Sequence, residues 1–175
     1  MKKVIICIFI CIIGLVVVLA NQQNTNQEYL RIHIRANSNL EIDQTVKYKV
    51  KDAVVNFLIP YLSTCESKEE SILIIEQYSN DIEAVADNVL KTSGFNYTSK
   101  LSVVNEKFPT RTYGDVTLNE GFYDALILEL GEGVGDNWWC VVYPPLCFLN
   151  GTDNKNLVYK SRIWNIINSF FENED

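Results

Sequence analysis

Histidine occurs once among the 175 residues, at His33, and that scarcity removes several kinds of chemistry at the outset. A zinc centre, or a Cys-His or Ser-His nucleophilic pair, would have to use this one imidazole. It sits between Arg31 and Arg35, whose charges disfavour a bound cation. No spacing of His, Cys or carboxylate matches a zinc or calcium site, so neither a metal nor another cofactor is expected. Basic residues are scarce as well: 15 Lys and Arg stand against 22 Asp and Glu, for a formal net charge of −7. Nucleic acid and anionic lipid both require a basic face, and a chain this acidic offers them little. Internal repeats and low-complexity tracts are absent. The length allows one domain around one core rather than two.

What the sequence does have is an apolar start. Met1-Lys2-Lys3 is cationic, Val4 to Leu19 is unbroken apolar sequence apart from one glycine, and Val18-Leu19-Ala20 offers a cut before Asn21. Residues 1–20 therefore read as a secretory signal peptide, with an uncleaved N-terminal anchor as the alternative. Either way the two lysines hold the N-terminus in the cytoplasm and the rest of the chain is exported, touching membrane only through this segment. Cys7 and Cys11 lie inside the apolar run without the small-residue context of a lipidation site, and they read as apolar filler.

Residues 21–28, which begin with the polar run Asn21 to Gln27, read as a linker, and residues 29–172 as a single exported domain. Tyr29 to Ala36 alternates, with Leu30, Ile32 and Ile34 on one face and Arg31, His33 and Arg35 on the other, as a half-buried strand requires. Asn37-Ser38-Asn39 stops it as a turn. From Thr45 apolar residues recur every three or four positions to Tyr61, predicting an amphipathic helix with Asp43 as its N-cap and Pro60 in its last turn. Ser67-Lys68-Glu69-Glu70 fits a capping box opening a second helix that runs to a C-capping Gly94. Strands follow over 95–104, over 108–118 with a Tyr113-Gly114 bend, over Phe122 to Leu130 at the sheet's centre, and over Trp138 to Tyr143, which Pro144-Pro145 ends. A terminal amphipathic helix over 157–171 carries an aromatic face that includes Trp164, Phe170 and Phe171. The expected fold class is α+β: a mainly antiparallel sheet with helices packed on one face, preceded by the hydrophobic signal segment.

Candidate chemistry is thin. Three cysteines follow the leader: Cys65, Cys140 and Cys147. Export favours oxidation, and Pro144-Pro145 can fold Cys147 back on Cys140, so a disulfide stands beside the reading that both pack as small apolar groups. Gly131-Glu132-Gly133-Val134-Gly135-Asp136 has the look of a phosphate loop, but it leads into a strand and holds two acids, and a flexible hairpin turn is expected instead. Asp124 and Glu129 fall on opposite faces of their strand and cannot form an acid/base dyad. Asn96-Tyr97-Thr98 and Asn150-Gly151-Thr152 match glycosylation triplets of a eukaryotic secretory route, but frequent Ile, Asn and Lys with this type of leader point to a bacterial source, where they carry no meaning. Trp138 and Trp139 are adjacent in a strand, so one faces the helices while the other covers an edge or meets a partner.

Several blocks together carry a resemblance. Leu30-Arg31-Ile32-His33-Ile34-Arg35-Ala36-Asn37-Ser38, Asp43-Gln44, Lys47 to Val54, Phe108-Pro109, Tyr113-Gly114, and Gly131-Glu132-Gly133 through Asn137-Trp138-Trp139-Cys140 to Pro144-Pro145-Leu146-Cys147-Phe148 resemble the stage II sporulation protein R family of endospore-forming bacteria over about residues 29 to 149. Leu40-Glu41-Ile42 departs from the Ser-Pro helix start common in that family. The resemblance implies a signalling protein that is not an enzyme, made in the forespore and exported into the space between the two septal membranes. There it activates a membrane-bound aspartic protease that cleaves the precursor of the mother-cell sigma factor E. It also points to Asn37, Ser38, Trp138, Trp139, Cys140, Cys147 and Phe148 as the region that matters, with Asn37, Ser38, Trp138, Trp139 and Phe148 as partner-binding candidates. Two alternatives are an exported thiol or hydrolytic enzyme pairing Cys140 or Cys147 with His33, and a wall-associated structural module.

Overall fold

Leu30 to Arg35 forms β1, and its alternation buries Leu30, Ile32 and Ile34 completely on one face. The computed structural model describes residues 28–113, 116–148 and 165–171. The leader, the linker up to Gln27, Gly114, the Asn150-Gly151-Thr152 triplet and the terminal-helix residues through Trp164 lie outside the described residues.

β1 is the first strand in the chain and an interior strand of the sheet. With β2 (Ser99–Phe108), β5 (Gly121–Leu130) and β6 (Asn137–Tyr143) it forms a sheet in the order β2-β5-β1-β6, while β3 (Arg111–Tyr113) and β4 (Val116–Leu118) make a separate two-stranded ribbon. The β2–β5 and β1–β6 ladders are antiparallel, but β1 and β5 run parallel, Leu30 opposite Asp124 and Arg35 opposite Glu129. The sheet is therefore mixed, and this corrects the expectation of a mainly antiparallel one. Alternation marks a segment as a strand but says nothing about its neighbour, and here the first strand inserts between two late ones. Interior placement explains the near-continuous apolar run of β5, since both of its faces are covered.

Three helices lie against the Leu30, Ile32 and Ile34 face: α1 (Glu41–Leu62), α2 (Lys68–Gln77) and α3 (Ser79–Thr92). Val46, Val50, Val54, Leu58, Ile75, Ile82, Ala86 and Leu90 bury here against Leu126, Leu128 and Leu130. Each large aliphatic side chain contributes roughly 1.5–3 kcal/mol by leaving water. The expected second helix is two helices, because Tyr78 leaves helical geometry (φ −100, ψ 17) where its ring packs 4.3 Å from that of Tyr61. Periodicity continues through a one-residue break and cannot reveal it. Ser67 accepts from the Glu70 amide at 3.1 Å, and Glu70 reaches back to the Glu66 amide at 2.8 Å, the expected N-terminal cap. Gly94 (φ +88) closes α3, with the Phe95 amide returning to the Leu90 carbonyl. Carboxylates of α3 also cover the outer edge of β2: Asp87 accepts from the Ser99 amide and Glu83 from the Leu101 amide, both at 2.6 Å.

The second face of β1 was expected to be polar and solvent-facing. Instead Arg31 is fully buried and His33 is 2 % exposed. Aromatic side chains cover them. The Arg31 guanidinium lies 4.3 Å from the Phe108 ring centre and 4.9 Å from that of Tyr123, and donates to the Tyr113 hydroxyl at 2.7 Å. A delocalised cation over ring faces keeps part of the stabilisation that water would have given it. Arg35 closes the row by bridging Glu106 and Glu129. In the helical segment over 165–171, Phe170 packs on Tyr29 and Tyr143. Among the described residues no helix is long and apolar enough to cross a membrane.

Candidate functional site

The candidate residues gather at one end of the sheet and along its β6 edge. The end is built where β1 stops. Ala36 leads into Asn37-Ser38-Asn39, and α1 begins at Glu41, earlier than the expected start at Thr45. Asp43 is consequently not the N-cap but a buried residue of the first helical turn; the N-cap position is Leu40, which has no side-chain cap. The Asp43 carboxylate collects three donors instead: Asn37 Nδ2 at 3.0 Å, Ser38 Oγ at 2.5 Å and Tyr97 Oη at 2.6 Å. Burial alone would raise its pKa, but the hydrogen bonds from Ser38, Tyr97 and Asn37 outweigh burial and hold the carboxyl below the ordinary range. Burial and the Asp43 contact push the Tyr97 phenol well above its ordinary value.

Lys47, one helical turn further on, is 1 % exposed. Its ammonium donates to Gln44 Oε1 at 2.6 Å and to the Asp136 carbonyl at 3.0 Å, and burial lowers its pKa against the opposing charge of Asp136. Gln44 in turn donates to the Ser38 carbonyl at 2.9 Å. Asp43-Gln44 and Lys47 thus clamp the Asn37–Asn39 turn from the helix side.

The glycine-rich segment clamps it from the other side. It is not the hairpin turn expected from the sequence, because β5 and β6 are not neighbours and the segment must pass over the end of β1 between them. There the Glu132 amide donates to Asn37 Oδ1 at 3.0 Å, the Gly135 amide to the Ala36 carbonyl at 2.8 Å and the Asp136 amide to Asn39 Oδ1 at 2.6 Å. Gly131 and Gly133 have positive φ, +59 and +62. A side chain at Gly131 would collide with Asn37, and one at Gly135 with the Ser38 backbone. The glycines are there for close approach between two chain segments, and the amides of Gly131, Glu132, Gly133, Gly135 and Asp136 already donate within the protein rather than to a phosphate.

Strand parity places the remaining candidates. Trp138 lies on the helix face, with the Lys51 ammonium 5.7 Å from its ring centre. Trp139 lies on the opposite face, stacked on His33 at 3.7 Å between ring centres, with Phe108 edge-on. Cys140 pairs in register with Ile32 and so shares its face, whereas His33 is opposite Trp139. The thiol or hydrolase alternative pairs His33 with Cys140 or Cys147, and neither sulfur is a free thiol beside the ring. Cys140 instead meets Cys147 as a disulfide, with Cα atoms 5.8 Å apart, and Phe148 follows on a short 3-10 turn, Leu146–Phe148. Cys65 is a buried free thiol whose pKa burial raises. Among the described residues no group of three or more His, Cys, Asp or Glu could hold a metal ion.

His33 accordingly has a packing role with a pH signature. Burial lowers its pKa; Asn137 and the Glu106 carboxylate, 3.2 Å from Nδ1, oppose that shift, and Arg35 adds to it. The fold thus favours the neutral ring, so the His33 contribution to stability is complete above the ordinary value of 6.5 and is lost as pH falls below it toward the folded value. Urea midpoints measured between about pH 7 and about pH 5 should fall in the wild type and change less in His33→Gln. Equal slopes in the two proteins would remove this account.

Gln44 and Lys47 fall within the blocks that carry the family resemblance, but nothing in the sequence assigns a role to them or to Tyr97. A further signal is a lysine on the apolar stripe of α1, between Val46 and Val50.

A family model described as Stage II sporulation protein R matches residues 26–153. A Stage II sporulation protein R of Bacillus subtilis (strain 168) is similar at 35 % identity over 161 residues, covering 85 % of this chain and 72 % of the relative. No solved structure matches.

Proposed function

This chain belongs to the stage II sporulation protein R family, and from that membership we propose that it is an exported signal of endospore formation that activates a membrane-bound aspartic protease. The protease then cleaves the precursor of sigma factor E in the mother cell. In this reading the chain is made in the forespore and crosses its membrane through the Val4–Leu19 segment, and the folded domain acts in the intermembrane space by contact, without catalysing a reaction itself. The observation that carries the reading is the family match over residues 26–153, which takes in both the clamped Asn37–Asn39 turn and the Trp138–Phe148 block. Two further features support it. The apolar leader suits export, and the only histidine is stacked under a tryptophan rather than paired with a cysteine. A binding signal acts by stabilising one state of its receptor, so it needs a well-defined surface rather than a catalytic set.

Deletion of the coding sequence in the native organism is the test. Processing of the sigma-factor precursor should stop, and expression of the full chain in the forespore should restore it. Precursor processing at the normal rate in the deletion strain would overturn the proposal.

A further inference from the structure

The end of the sheet that the polar network rigidifies also carries three of the most exposed large apolar side chains among the described residues: Leu40 at 65 %, Ile42 at 61 % and Val134 at 71 %. Leu40 and Ile42 open α1, directly after the Asn37–Asn39 turn. Val134 stands at the tip of the loop from β5 to β6, between the residues whose amides hold that same turn, Glu132 and Gly135. Two segments far apart in sequence are thereby brought to one surface. Neither segment needs these side chains for folding, since the clamp is made by Asp43, Gln44, Lys47 and backbone amides.

The charged residues on the two segments that carry the three, 37–42 and 131–136, are all acidic, and Arg35 at the end of β1 is turned to Glu106 and Glu129. Glu41, Glu132 and Asp136 are exposed, while the nearest cation in the network, Lys47, is buried and turned inward to the Asp136 carbonyl. An apolar centre with an acidic rim is complementary to a protein segment that presents apolar side chains flanked by Lys or Arg. Anionic lipid is disfavoured by the same carboxylates. The geometry is also suited to transmitting a contact. The turn and loop cannot shift independently, so a partner docked here meets one preformed surface and loses little entropy in ordering it.

We propose that Leu40, Ile42 and Val134, with the rim of Glu41, Glu132 and Asp136, form the surface through which this chain docks on a basic, apolar-bearing outward segment of its membrane-bound receptor. This inference rests on the activator reading above and names the surface that would serve it. Its central side chains would act as anchors and the carboxylates as rim charges that set orientation and the rate of encounter.

The test uses the full chain in the native organism. The triple variant Leu40→Ser, Ile42→Ser, Val134→Ser should lower precursor processing by about tenfold or more, while Glu41→Lys with Glu132→Lys lowers it less. Leu73→Ser, which removes an equally exposed apolar side chain on α2, should leave it unchanged. Melting temperatures of the purified variants within a few degrees of wild type would show that all of them fold. A photo-crosslinking residue at position 42 should capture the protease in the membrane fraction, and one at position 73 should not. If the deletion strain fails to process the precursor but the triple variant processes it normally, the surface is wrong and the activator reading stands. If the deletion strain itself processes normally, both fall. Crosslinks from position 42 only to lipid or to a second copy of the chain would also overturn the proposed surface.

Discussion

Replacing Asp43 with Ala should destabilise the protein by about 3 kcal/mol, or about 6–12 °C in melting temperature for a domain of this size. The change removes the acceptor shared by Asn37, Ser38 and Tyr97, leaving three donors to find new partners at a buried position. Part of that cost is relieved because Asn37, Ser38 and Tyr97 are themselves only partly buried and water can reach them. Asp43→Asn keeps one carbonyl acceptor and should cost less. The two substitutions also separate charge from shape. The native carboxyl titrates below its unfolded value, so its contribution is complete above about pH 4 and disappears as pH falls through the lower folded pKa. Urea denaturation as a function of pH should therefore show an acid-side loss in the wild type that is reduced in Asp43→Asn. If Asp43→Ala melts within about 2 °C of wild type, the network does not hold this end together.

The second large effect belongs to Gly135. A β-carbon there would run into the carbonyl of Ser38 and lie 3.0 Å from the Ala36 side chain. The colliding atoms are backbone, and that backbone is fixed by Gln44 and by the Asn39–Asp136 contact. Gly135→Ala can be accommodated only if the loop lifts away, breaking the Gly135 and Asp136 amide bonds to Ala36 and Asn39. The expected loss is about 2–3 kcal/mol. Gly94→Ala provides the comparison: its φ is +88 but nothing lies within 4 Å of the added carbon, so only backbone strain remains, about 1 kcal/mol. Thermal melts of both variants check the ordering, and a Gly94→Ala loss equal to or larger than that of Gly135→Ala would contradict the close-approach account. Gly135→Ala should also impair precursor processing at temperatures where the domain stays folded, because Val134 is displaced with the loop.

Much of the local structure could be read from the residues. The Ser67 cap, the Gly94 stop and the helix ending just past Pro60 each follow from side-chain chemistry within one or two turns of the chain. Alternation likewise placed Trp138 and Trp139 on opposite faces before any partner was known. α1 starts at Glu41 rather than near Thr45: Asp43 has the chemistry of an N-cap, and only Tyr97, 54 residues later, reveals that it serves a different set of donors.

Sequence alone, then, determined the type and order of most elements, several of their caps and stops, which strand side chains share a face, and the family to which the chain belongs, since these depend on neighbours along the chain or on the recurrence of residue strings. Tertiary structure decided the parallel partner of β1, the burial of Arg31 and His33 beneath aromatic rings, and the meeting of the Asn37–Asn39 turn with the glycine loop. Those depend on contacts across 75 to 106 residues, where the free energy of bringing segments together is set by the whole sheet and leaves no local pattern to read.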